Sequence, residues 1–196
     1  MEFLLPILAY LMGSISSAIL IARLFGMSDP RTVGSGNPGA TNILRQGNKA
    51  AAAATLIGDM AKGILPVVLA RLITDDATTL AMVAGAAFLG HLFPVFFRLK
   101  GGKGVATALG VYFGLNIWMG LALVLTWLLS AAIFRYSSLA AILTAVISPL
   151  YAWHFLPGTA YLIMSFLIAL LLVWRHHGNI SRLINGSEDK IRLSRK

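Results

Sequence analysis

The chain contains no cysteine among its 196 residues, which excludes disulfides, thiolate nucleophiles and cysteine-ligated metal sites. Charge is scarce as well. Asp, Glu, Lys and Arg make up 12% of the sequence, about half the share of a soluble domain, too little to cover a water-facing surface. Acidic residues are rarer still, 7 against 16 Lys and Arg, for a net charge of +9. A nucleic-acid face would gather those cations into one patch. Here they fall in short gaps between apolar runs, a pattern that suits membrane topology and an anionic lipid or substrate. The first apolar run lacks a preceding basic segment, so residues 1–25 read as a retained span and not a signal peptide.

What is present is apolar sequence, 58% of the chain. Runs lie near 3–23, 50–73, 78–97, 105–116, 117–134, 139–153 and 159–174. They predict an all-α, polytopic membrane protein with no separate soluble domain, residues 1–196 forming a single integral-membrane domain. A perpendicular span needs about 20 residues, so the fourth and fifth runs are short, and 105–134 is alternatively one long helix. Counting seven transmembrane helices, with the N-terminus outside and the C-terminus cytoplasmic, satisfies the positive-inside rule. That count puts Arg31, Arg45, Arg98, Lys100, Lys103, Arg135 and six basic residues of the tail on the cytoplasmic side. A six-helix count strands either the tail or the first three basic gaps. Trp118 and Trp153 fall near outer ends and Trp174 near an inner one, as an aromatic belt requires. Ile180, Leu183 and Ile184 predict a short interfacial helix ending near Gly186.

Three polar clusters interrupt this pattern. The first, Gly34-Ser-Gly-Asn-Pro-Gly-Ala-Thr-Asn-Ile-Leu-Arg45, has three glycines with two hydroxyls and an arginine. Backbone N–H groups turned inward beside Ser35, Thr41 and Arg45 would form a concave anion site; a plain interhelical turn is the alternative. Its Gly34, Gly36 and Gly39 match the spacing of a dinucleotide fingerprint, but the neighbours are membrane-length runs and not a βαβ unit. The second, Arg98-Leu-Lys-Gly-Gly-Lys-Gly104, feeds the start of a helix, where N–H groups and the positive dipole end attract phosphate. A basic cytoplasmic turn is the competing reading, and the spacing is not that of a phosphate-binding P-loop. The third, His176-His-Gly-Asn-Ile-Ser-Arg182, offers an imidazole as base or phosphate ligand. Adjacent histidines diverge on a helix, which argues against a two-histidine metal site. Asp59 and Lys62 lie one turn apart within the second span, as a structural pair or as part of a polar cavity. All three clusters fall on the same expected face, as an enzyme joining a phosphorylated soluble substrate to an acyl chain requires.

With these residues assembled, the chain resembles the bacterial acyl-phosphate-dependent glycerol-3-phosphate acyltransferases (the PlsY family) over essentially its whole length. The likeness rests on Gly34 through Asn42 with Arg45, on Gly58-Asp59-Met60-Ala61-Lys62-Gly63, on Gly90-His91, on Lys100 through Thr107, and on His177 through Leu183 leading to Gly186 and Glu188. The resemblance implies acyl transfer from acyl phosphate to the 1-hydroxyl of sn-glycerol 3-phosphate, giving lysophosphatidic acid and inorganic phosphate, the first acylation of phospholipid synthesis. It implies no cofactor, no metal and no acyl-CoA. The expected partners are the two substrates and membrane lipid, without nucleic acid or an obligatory protein partner. The expected location is the bacterial cytoplasmic (inner) membrane, with the active site facing the cytoplasm.

By the same resemblance Ser35, Arg45, His177 and Asn179 look catalytic. Gly34, Gly36, Asn37, Thr41 and Asn42, with Gly101, Gly102, Lys103 and Gly104, look substrate-binding. Asp59, Lys62, Arg182 and Glu188 look structural or cavity-lining. No His-x-x-x-x-Asp motif is present, since Phe96, Thr159, Ser181 and Arg182 stand five positions after the four histidines. The alternative function is a small membrane transporter for a phosphorylated solute, whose polar loops would be gates.

Overall fold

The computed structural model describes residues 2–191. Among these the secondary structure is helical throughout: α1 (Leu4–Gly13), α2 (Ser17–Leu24), α3 (Ala40–Arg45), α4 (Lys49–Arg71), α5 (Ala77–Leu92), α6 (Val105–Leu115), α7 (Ile117–Phe134), α8 (Ser137–Phe155), α9 (Thr159–Arg175) and α10 (His177–Ile184). Polar side chains mark several starts. Asn48 accepts from Ala51 N–H at 2.9 Å and opens α4, and Asp76 accepts from Thr79 N–H at 2.7 Å and opens α5. Asn116 accepts from the N–H groups of Trp118 and Met119, so residues 105–134 form two helices and not one.

Two elements differ from the sequence pattern. The first apolar run is broken at residues 14–16. Ser14 Oγ donates back to the Tyr10 carbonyl at 2.8 Å, and the Ile15 carbonyl is taken up by the Lys62 ammonium at 2.8 Å. A buried cation thus replaces the helical hydrogen bond that the break removes. The first polar cluster, in turn, is not all loop, because its second half winds into α3.

The chain divides into two compact units, Met1–Leu115 and Asn116–Lys196. In the first, α4 is the hub, touching α1, α2, α3, α5 and α6. It meets α6 through small residues: a methyl group at Gly63 would lie 2.5 Å from the Thr107 carbonyl oxygen, and one at Gly110 would overlap the Met60 carbonyl. Backbone contact of this kind gains dispersion energy that leucine against lipid cannot supply. At the far end of the pair, Arg71 donates to the Gly114 and Leu115 carbonyls, both at 3.0 Å, and satisfies the last turn of α6. The second unit packs α8 between α7 and α9. Thr126 and Tyr151 hydroxyls lie 2.9 Å apart across α7 and α8, and Ser165 donates to Ser148 at 3.2 Å across α9 and α8.

Leu4–Leu24, Lys49–Arg71, Ala77–Phe97, Ile117–Phe134 and Ser137–Phe155 are long and apolar enough to cross a membrane. Thr159–Arg175 with His177–Ile184, bent by 58°, makes a sixth if the pair counts as one span, and Val105–Leu115 is a shorter apolar helix. Leu125, Leu128, Phe166, Leu170 and many similar side chains stand exposed on these helices, an outer surface suited to acyl chains and not to water.

Candidate active site

The first loop is built on its own side chains. Asp29 receives Arg31 Nη2 at 2.6 Å and Nε at 3.0 Å. Hydrogen bonding from Arg31 holds the Asp29 carboxyl below its ordinary pKa and raises that of the guanidinium. Arg31 is therefore a neutralised strut. Asn42 sits buried on α3 beneath the loop. Its amide donates to the Pro30 carbonyl at 2.8 Å and the Val33 carbonyl at 3.1 Å, and its oxygen accepts from Ser35 N–H at 3.0 Å. Gly34 and Gly36 take left-handed conformations, φ 59° and 69°, and a side chain on Gly34 would overlap the Asn42 amide.

The expected basket of inward N–H groups is thus partly filled from within. Ser35 N–H goes to Asn42, Gly36 N–H to the Val33 carbonyl and Gly39 N–H to the Asn37 carbonyl. Asn42 organises the loop, with three hydrogen bonds inside it. Asn37 is half-buried, while Ser35, Thr41 and Arg45 are exposed.

The second loop carries conformational strain that the sequence gives no sign of. Arg98 and Leu99 are consecutive left-handed residues, φ 57° and 59°, costly for residues with a side chain. They are held by hydrogen bonds from Leu99 N–H to Pro94 and from Lys100 N–H to Phe97. Beyond them Gly101, Gly102 and Gly104 are buried and Lys103 is half-buried. Gly102 N–H donates to the His91 carbonyl at 3.2 Å. A methyl group on Gly102 would overlap the His91 imidazole and lie 3.1 Å from the Pro38 carbonyl oxygen. The two glycine loops, some sixty positions apart, therefore abut at Pro38 and Gly102.

Behind them, Asp59 and Lys62 form the buried pair expected from their spacing, 2.8 Å apart. His91 lies 3.6 Å from the same Asp59 oxygen, and the Asp59 carbonyl accepts from Thr107 Oγ1 at 3.0 Å. One turn of α4 thereby holds α5 and α6.

In the second unit the third cluster occupies the bend between α9 and α10. His177 is exposed, with Nδ1 2.9 Å from the Trp174 carbonyl. A carbonyl only accepts, so Nδ1 carries a proton, the arrangement that in a neutral ring leaves Nε2 as the acceptor a general base requires. His176 is buried, with Nδ1 2.8 Å from the Leu172 carbonyl; the sequence did not separate it from its neighbour. Asn179 donates to Glu188 Oε1 at 2.7 Å, Ser138 donates to the same oxygen at 2.6 Å, and Arg182 Nε donates to Oε2 at 2.8 Å. Glu188 thus fixes the orientation of Asn179 and neutralises Arg182. Ser138 comes from fifty positions away and has no local signal. Among the described residues no three His, Asp or Glu side chains gather closely enough to hold a metal ion.

Burial alone would raise the Glu188 pKa; hydrogen bonds from Ser138, Asn179 and Arg182 and the Arg182 charge outweigh it and hold the carboxyl below its ordinary 4.5. A depressed carboxyl contributes stability that is intact above the unfolded value and is lost as pH falls through the folded one. Protection factors across residues 177–188, taken against the intrinsic exchange rate at each pH, are accordingly expected to fall below pH 4.5 in the natural protein. Glu188→Gln should show weaker protection throughout and no such acid step. Identical acid profiles for the two proteins would contradict this account.

The family model for glycerol-3-phosphate acyltransferase matches residues 3–186. A glycerol-3-phosphate acyltransferase of Methylobacillus flagellatus is 56% identical over 183 residues, covering 93% of each chain. Among solved structures, PlsY (YgiH), described as an integral membrane glycerol 3-phosphate acyltransferase, superposes in its glycerol 3-phosphate form with TM-score 0.91 at 40% identity, over 96% of this chain and 94% of that one. Its lysophosphatidic acid form gives 0.89 at 38% identity, with the same coverage. Agreement this close along nearly the full length means that the chain belongs to the glycerol-3-phosphate acyltransferase family.

Proposed function

We propose that this protein is an acyltransferase that moves a fatty acyl group from acyl phosphate to the 1-hydroxyl of sn-glycerol 3-phosphate. The products are lysophosphatidic acid and inorganic phosphate. The observation that carries the reading is the family match across residues 3–186, which includes both abutting glycine loops. The relative crystallised with glycerol 3-phosphate and with lysophosphatidic acid supports that acceptor and product. The acyl-phosphate donor is what the resemblance to the PlsY family implies.

Acyl phosphate is a mixed anhydride with phosphate as a ready leaving group. The hydroxyl oxygen attacks the acyl carbon, the acyl–oxygen bond to phosphate breaks, and the ester forms. The hydroxyl proton passes to Nε2 of His177 or to a substrate phosphate oxygen. The main tasks are placing the hydroxyl and offsetting repulsion between two phosphates. Ser35, Thr41 and Arg45 on the first loop, and Lys103 with the glycine backbone on the second, suit that charge problem. Gly34, Gly36, Asn37 and Asn42 shape the first loop, and Gly101, Gly102 and Gly104 the second. Asn179, aligned by Glu188, supports the histidine turn. Direct attack needs no acylated serine.

This reading treats residues 1–196 as one integral-membrane acyltransferase domain with seven crossings, the short α6 counted among them. The N-terminus lies outside, the C-terminus in the cytoplasm, and the active site faces the cytoplasm from the inner membrane. Distribution of Lys and Arg supports that orientation. No cofactor and no protein partner enter the reaction.

Purified protein given acyl phosphate and glycerol 3-phosphate is expected to release inorganic phosphate and form lysophosphatidic acid in equal amounts, resolved by chromatography. Uptake of labelled glycerol 3-phosphate into proteoliposomes without new lipid would replace the proposal with a transporter.

A further inference from the structure

The buried charges of α4 and the imidazole of α5 stand directly behind the second glycine loop. Lys62 is paired to Asp59 at 2.8 Å and tied to the Ile15 carbonyl at 2.8 Å. His91 Nδ1 lies 3.6 Å from the same Asp59 oxygen, and all three residues are buried. The far ring nitrogen, Nε2, with Cε1 beside it, is pressed against Gly102, so closely that a methyl group there would overlap the ring. The His91 carbonyl accepts from Gly102 N–H at 3.2 Å, and a side chain on Gly101 would overlap the His91 carbonyl and crowd that of Leu92. The loop has no slack against α5.

An apolar side chain would fill the space behind the loop at lower cost, since ionisable groups inside a membrane bundle are expensive. The carboxylate stands beyond hydrogen-bond reach of Nδ1, so packing sets the ring: Nδ1 faces α4 while Nε2 meets the loop. We infer that His91 is a positioning residue for the Gly101–Gly104 loop, holding Gly102 and Lys103 at the height where they bind the phosphate of the acceptor. His91 itself touches no substrate. The inference rests on the proposed function, in which this loop binds glycerol 3-phosphate.

Steady-state kinetics on four purified proteins test it: the natural chain, Gly102→Ala, His91→Ala and the double variant. Gly102→Ala is expected to raise the KM for glycerol 3-phosphate about tenfold, and His91→Ala by a similar factor, with the KM for acyl phosphate unchanged. Removing the imidazole opens the space into which the new methyl group intrudes. The double variant should therefore be no worse than the poorer single one, a coupling of about tenfold. Increases that multiply, or a His91→Ala protein with the natural KM, would overturn the inference.

His91→Gln covers the case in which His91→Ala fails to fold. A polar side chain of similar reach facing Asp59 keeps the bundle together, yet its blunt end does not reproduce the ring edge. Its expected signature is a severalfold rise in the KM for glycerol 3-phosphate alone. Natural kinetics, or equal rises for both substrates, would count against positioning. If the natural protein itself transfers no acyl group, the functional reading fails first, an outcome distinct from an active enzyme whose variants behave additively.

Discussion

Arg45→Ala is expected to lower the rate of acyl transfer by about 100-fold or more, with the protein still folded in detergent. Arg31 is matched by Asp29 at 2.6 Å, so its charge is already answered. Arg45 stands in the last turn of α3 and is exposed, while Asn42 and Ile43 on the same helix are buried and hold α3 in place. Truncating the guanidinium thus removes charge from the mouth of the loop without emptying the core. Arg31→Ala, by contrast, should act through loop order and be milder. Turnover, melting temperature and elution profile together decide the matter. Natural turnover by a folded Arg45→Ala protein would strip Arg45 of its proposed role.

The second large effect concerns folding. Asp59→Ala leaves Lys62 buried without its counter-charge, a loss of about 3–5 kcal/mol where a buried pair is broken from one side. The Asp59 carboxylate also faces His91 at 3.6 Å, so the change alters the ring's surroundings on α5 as well. The recovered protein is expected to aggregate or to melt far below the natural chain. Asp59→Leu combined with Lys62→Leu should restore much of the folded yield, because replacing both charges by apolar groups removes the orphan. That double variant should remain impaired in acyl transfer through the second loop. If Asp59→Ala melts with the natural protein, or the double variant is no better folded than the single, the pair is not the bundle's clasp.

These two cases also mark what the sequence discloses and what it hides. Asp59 and Lys62 are legible because helical spacing is local: three positions apart in an apolar run puts them on one face. The same holds for the tail helix, whose Ile180, Leu183 and Ile184 repeat at helical intervals. The role of Asn42 is not legible, since its partners are the backbone of residues 30, 33 and 35, and no pattern of residue types encodes which carbonyls a loop turns inward. Nor is the seat of Glu188, completed by Ser138 from another helix. The break in the first span was signalled only by Gly13-Ser14 and Ser16-Ser17, residues equally at home in an unbroken membrane helix. His91, one histidine in an apolar helix, gave no hint that its ring would pack against Gly102.

The brevity of α6 has one more consequence. Eleven residues rise about 16 Å, against roughly 30 Å of hydrocarbon in a bilayer. Arg71 anchors one end of this helix at the Gly114 and Leu115 carbonyls, where a cation calls for a polar boundary. The other end, with Lys103 and its glycines, is then left well short of the opposite surface. Under the proposed function a water-soluble phosphate ester would sink to reach it, while a fatty donor already floating among the lipid tails would hardly rise. The depth of the membrane would then bring two mutually immiscible reactants to the same level.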